Sequence, residues 1–128
     1  MEQTDMFGEK RVSIPDNPTL QKTVELILRL YKHYPHMFDG NTISEIDRNI
    51  QFIVWQESGL YDILKIDTFG ERLSSFEKWY KDPSKCTNAE VLSRSRRYIV
   101  ESGIVNISRN AILDGERHRQ RITKSLHK

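Results

Sequence analysis

Apolar residues recur at helical spacing four times in this chain, and that pattern most narrows what it can fold into. Leu20, Val24, Ile27, Leu28, Tyr31 and Tyr34 form the first stripe. Ile43, Ile46, Ile50, Ile53 and Val54 form the second, with Trp55 beside it. Val91, Leu92, Ser95, Tyr98 and Ile99 form the third. Steps of three and four residues put one dry and one wet face on a helix. A further stripe places Phe69, Leu73, Phe76 and either Trp79 or Tyr80 on one side. Only residues 104–107, Ile-Val-Asn-Ile, are β-branched and short enough to read as a strand. The expected fold class is all-α: a compact helical domain with at most one short β-hairpin.

Local signals set the expected boundaries. Asn17-Pro18 opens the first helix, because Asn caps it and Pro loses no bonded N–H at the first position. Pro35 stops it, and Gly40-Asn41 turns the chain. Thr42 or Ser44 caps the second helix, and Ser58-Gly59 ends it. Residues 60–64 read as a short helix or single turn, after which Asp67 or Thr68 caps a further helix. Asp82-Pro83-Ser84 breaks that one. Thr87-Asn88-Ala89-Glu90 matches a capping box, with Thr87 as the cap, and Gly103 closes the helix that follows. The resulting division is a leader without structure at 1–16, a helical domain at 17–107 and a basic tail at 108–128.

Charge is unevenly placed. Residues 1–80 hold 9 Lys/Arg against 13 Asp/Glu, a balance of −4, whereas residues 81–128 hold 11 against 5, a balance of +6. A basic C-terminal part points to an anionic partner; the competing explanation is a solvated charged surface. No stretch approaches the roughly 20 apolar residues of a membrane span, and the N-terminus lacks a charged-then-apolar signal pattern. The expectation is a cytoplasmic protein with no membrane partner.

Catalytic constellations are poor. His33 and His36 straddle Pro35, so one helical face cannot present both to a metal, and no metal site is expected. The single cysteine, Cys86, has no obvious base beside it and reads as an inert thiol. The six glycines are scattered singly, so no phosphate-cradling loop exists. The expectation is a non-enzyme without catalytic residues or cofactor.

The chemistry-bearing segment is 87–107. On a helical wheel, Val91, Leu92, Ser95, Tyr98 and Ile99 take the buried arc. Glu90, Ser93 and Arg97 lie opposite, flanked by Arg94 and Arg96. Arginine grips phosphate or donates two hydrogen bonds to guanine, and a short hydroxyl permits close approach. An ordinary surface helix accounts for the same residues, since Glu90–Arg94 and Arg97–Glu101 are stabilising i,i+4 pairs.

The run Thr-Asn-Ala-Glu-Val-Leu-Ser-Arg-Ser-Arg-Arg-Tyr-Ile-Val-Glu-Ser-Gly, residues 87–103, resembles the third helix of winged-helix DNA-binding domains. It also resembles small phage and prophage proteins with a Ser-Arg-x-Arg-Arg helix after a helical N-terminal region and a Tyr-Pro segment, here Tyr34-Pro35. The resemblance implies a helix-turn-helix or winged-helix-like part at 68–107. It departs from that pattern in the long connector at 81–86 and in having one clear wing strand. The implied function is a regulatory DNA-binding protein of a phage or mobile element acting on duplex DNA. Ser93, Arg94, Arg96 and Arg97 would contact DNA, with Arg109, Arg117, Arg119, Arg121, Lys124 and Lys128 adding diffuse attraction. The surplus of N-terminal aromatic residues suggests a homodimer. The alternative is a small helical inhibitor or adaptor, encoded by a mobile element, that binds a host or phage protein.

Overall fold

Asn17 starts the first helix, α1 (Pro18–Tyr31): its side-chain oxygen accepts from the N–H groups of Thr19 (2.9 Å) and Leu20 (3.3 Å). The computed structural model describes residues 17–126, with side chains through Arg117 and again at Arg119. The expected leader, 1–16, lies outside the described residues. Helix α2 (Ile43–Trp55) begins at Thr42, whose hydroxyl accepts from the Glu45 N–H at 3.1 Å. Glu45 returns its carboxylate to the Asn41 N–H at 2.9 Å, a reciprocal cap displaced by one residue. Asp114, far along the chain, accepts from the Ile43 N–H at 3.0 Å. Two carboxylates thus sit at the positive end of this helix.

Ser58-Gly59 does not simply end α2. The chain widens into a π-helical turn, Gln56–Leu60, and re-enters a short helix, α3 (Tyr61–Leu64). Gly59 adopts φ +123°, a conformation that L side chains rarely take. Helix α4 (Phe69–Tyr80) starts at Thr68, and α5 (Ala89–Glu101) follows. Helix α5 ends in a Schellman motif: the Gly103 N–H donates to the Val100 carbonyl and the Ile104 N–H to that of Ile99, with Gly103 at φ +76°. Helix α6 spans Arg109–Leu126, and the Ser108 hydroxyl accepts from the Ala111 N–H at its start.

The expected strand at 104–107 is not formed, and no strand occurs among the described residues. A lone β-branched run has no partner edge in an all-helical domain. Val105 instead turns inward and is buried, and Ser108 then opens α6. The first part of the expected tail packs into the fold: Ala111 is fully buried, and Gly115 lies against Ile43.

Helix α5 is the centre of the structure and packs against both α1 and α2. Helix α1 also touches α2, and α2 touches α6. Ile27, Ile46, Ile50, Val54 and Ile99 are completely buried in this core. Each such side chain contributes about 1.5–3 kcal/mol by leaving water. Helix α4 takes a different place: its main contacts are with α3 and the π turn. An aromatic cluster joins this hairpin to the core. Trp55 meets Trp79 edge-on at 5.5 Å and Tyr80 at 6.1 Å, while Phe76 stacks on Tyr80 at 5.5 Å. Trp79 is the residue that α4 buries. Phe69 and Tyr80 stay 70% and 54% exposed, so that stripe is left uncovered.

The cap of α5 is Asn88 rather than Thr87. The Thr87 carbonyl accepts from the Trp55 indole N–H at 2.8 Å, and the helix starts one residue later. Asn88 Oδ1 accepts from the Glu90 N–H at 2.7 Å, and Glu90 is drawn to Arg94 instead of closing a box. Asn88→Ala is therefore expected to cost about 1 kcal/mol in urea denaturation. Thr87→Ala should cost less, since its side chain makes no capping bond.

Candidate nucleic-acid interface

The segment expected to read DNA divides between the interior and the surface. Because α1 and α2 both cover α5, its buried arc is wider than the apolar stripe alone. Leu92, Ser95, Arg96 and Ile99 are its buried residues. Arg96, expected beside the outer face, is 7% exposed. Its Nε donates to Asp47 Oδ1 at 2.8 Å and its terminal nitrogen to Oδ2 at 3.3 Å. Ser93, expected outside, donates to the same Asp47 Oδ2 at 3.0 Å and accepts from Arg96 at 3.3 Å. Asp47, Ser93 and Arg96 thus form a closed network between α2 and α5. A forked guanidinium on a carboxylate is a strong, directional pair. Nε and one terminal nitrogen of Arg96 are held by these partners, so Ser93 and Arg96 act as a clamp between helices.

Five of the expected residues remain on the surface of α5 and α6. Arg94 is exposed and pairs with Glu90 at 2.7 Å. Arg97 is exposed, with no hydrogen bond or ion pair among the described residues. Arg109 and Arg117 are exposed on α6, where Arg117 Nε donates to the Leu113 carbonyl at 3.3 Å. Arg119 is also exposed and lies 3.9 Å from Glu101, at the end of α5. That contact brings the end of α5 close to α6. The side chains of Arg121, Lys124 and Lys128 lie outside the described residues.

Other chemistry is sparse. No group of three or more metal-ligating side chains occurs among the described residues. His36 pairs with Asp39 at 2.7 Å. Cys86 is buried, and that burial pushes its thiol pKa up, away from the reactive thiolate. No helix among the described residues is long and apolar enough to cross a membrane. Compared with protein-family models, curated proteins and solved structures, the chain shows no significant match to any of them.

The residue that sequence reasoning missed is Asp47. It stands four residues after Ile43 and three before Ile50, inside the apolar stripe of α2. Arg96 stands four after Leu92 and three before Ile99, inside the stripe of α5. One opposite charge in each of two facing stripes was the available signal.

Proposed function

We propose that this protein binds nucleic acid through the exposed cations of α5 and α6, with the buried part of α5 serving as scaffold. The observation that carries this reading is Arg97, an exposed guanidinium with no ionic partner among the described residues, on the helix most firmly held by the core. A cation on a rigid support loses little freedom on meeting phosphate. Arg109, Arg117 and Arg119 extend the basic surface along α6. Glu90 and Glu101 lie on the same ridge as Arg94 and Arg97, which limits its net charge. This arrangement suits a few ordered phosphate contacts better than a long basic track. The regulatory role on duplex DNA of a phage or mobile element rests on the sequence resemblance.

The test is fluorescence anisotropy with a random duplex at two salt concentrations. Binding should weaken steeply with salt. Arg97→Ala should cost about 1.5–3 kcal/mol of affinity, as a lost charge-assisted hydrogen bond does. Arg119→Ala, already beside Glu101, should cost less. Equal losses would reduce the interaction to diffuse charge attraction. No binding at low salt would turn the assignment to the second reading, a protein-binding adaptor. That reading is favoured by the uncovered stripe of α4, where Phe69, Leu73 and Tyr80 are exposed beside exposed Leu64 and Tyr61.

A further inference from the structure

A groove of about 530 Å³ runs between the α1–α2 connector and the outer side of α2, away from the Asp47–Arg96 clamp. His33, Tyr34, Pro35 and His36 form one wall, with Met37 at the base; Arg48, Asn49, Phe52 and Ile53 form the other. Pockets of roughly 300–1,000 Å³ suit small ligands.

The acids bonded to the groove's wall residues are already engaged. Asp39 is paired with His36, and the Tyr34 hydroxyl donates a hydrogen bond to Glu57. That bond raises the tyrosine pKa, so Tyr34 stays a neutral donor locked toward Glu57. Asn49 donates to the Asp39 carbonyl at 2.8 Å, which fixes the connector against α2. The cation at the rim is different. Arg48 is exposed and has no hydrogen bond or ion pair among the described residues. One helical turn further, on the same side of α2, the Phe52 ring is 66% exposed. A guanidinium with no partner among the described residues, one turn from an open aromatic face and above the apolar base at Met37, matches a ligand with a flat ring and an anionic group.

We infer that this groove binds a mononucleotide, with the base stacked on Phe52 and the phosphate held by Arg48. Base–aromatic stacking tolerates any base, and arginine matches phosphate in geometry as well as charge. The His33 imidazole, exposed at the same rim, supplies a further donor. The assignment does not rest on nucleic-acid binding by α5 and α6, whose cations lie on other elements.

The experiment is an NMR titration of the whole protein with adenosine monophosphate, adenosine and inorganic phosphate. Ligand is taken to about 10 mM, ten times the roughly 1 mM dissociation constant of a weak site. Saturable shifts are expected at residues 33–37 and 48–53 with adenosine monophosphate, and weaker ones with adenosine. Arg48→Gln should weaken the monophosphate about fivefold and leave adenosine within about twofold, because only the phosphate contact is lost. Phe52→Ala should weaken both by about fivefold, since stacking is common to both. Both side chains are exposed, so circular dichroism should show an unchanged fold. No saturable shift in the wild-type groove overturns the assignment whatever the variants do. Shifts confined to α5 and α6 overturn it equally and leave the basic-surface reading standing. A phosphate-only response, unaffected by Phe52→Ala, would reduce the site to a simple anion contact and also overturn it.

Discussion

Asp47→Ala is expected to lower stability by about 2–3 kcal/mol, or about 10 °C in melting temperature for a domain of this size. The substitution leaves the Arg96 guanidinium buried without its carboxylate and removes the acceptor of Ser93. A fully buried pair broken on one side loses about 3–5 kcal/mol, and the lower figure here reflects Asp47, whose side chain is 29% exposed. Asp47→Asn should restore part of the loss, since an amide oxygen still accepts one bond. The informative companion is the double change Asp47→Leu with Arg96→Met, which removes both charges and keeps apolar volume. It should melt above Asp47→Ala, because an unpaired buried charge costs more than an absent pair. Thermal melts of the four chains decide this. If Asp47→Ala melts like the parent, the clamp does not hold α2 to α5, and Arg96 becomes available for other partners.

Gly59→Ala is expected to cost about 2–3 kcal/mol, from two causes at one atom. The backbone there has φ +123°, which a side chain destabilises. A Cβ at this position would also stand 3.1 Å from Trp79 Nε1 and 3.3 Å from its Cδ1. That indole donates to the Ser58 carbonyl at 2.8 Å and is the residue that α4 buries. The damage should therefore concentrate in the α3–α4 hairpin. Hydrogen exchange should show lost protection across residues 60–80, with α1 and α5 keeping theirs near native levels. Gly70→Ala gives the contrast: nothing lies within 4 Å of its added Cβ, and in a helix alanine should stabilise slightly. Uniform loss of protection in Gly59→Ala would mean that the hairpin and core unfold as one unit.

The α4 stripe carries a lesson about patterns. Phe69, Leu73, Phe76 and Tyr80 recur at spacings of four, three and four, which marks a helix with an apolar side. The pattern holds no information about whether this chain covers that side. Trp79, slightly off the stripe, is the one that finds the interior, because Ser58 offers its indole a carbonyl. Residues 104–107 show the same limit from the other direction, since strand propensity has no expression without a second strand. At the start of α5 the outcome turned on a single indole: Trp55 claims the Thr87 carbonyl, and Asn88 becomes the cap.

Local chemistry written in the sequence determined that the chain is helical and where most helices start and stop. Asn17-Pro18, Thr42, Thr68 and Gly103 act on neighbours within a few residues, so their effect is the same wherever the helix packs. The apolar stripes likewise determined that α1, α2 and α5 bury a side. Only the tertiary structure decided how wide that side is. Helix α5 lies against two helices at once, so its dry arc extends past the apolar residues to Arg96. Burying an arginine is tolerable only with a paired, hydrogen-bonded acid, and Asp47 stands 49 positions away. No local rule reaches that far: the division of the arginines between clamp and surface depends on which helices meet, and that is settled by packing over the whole domain.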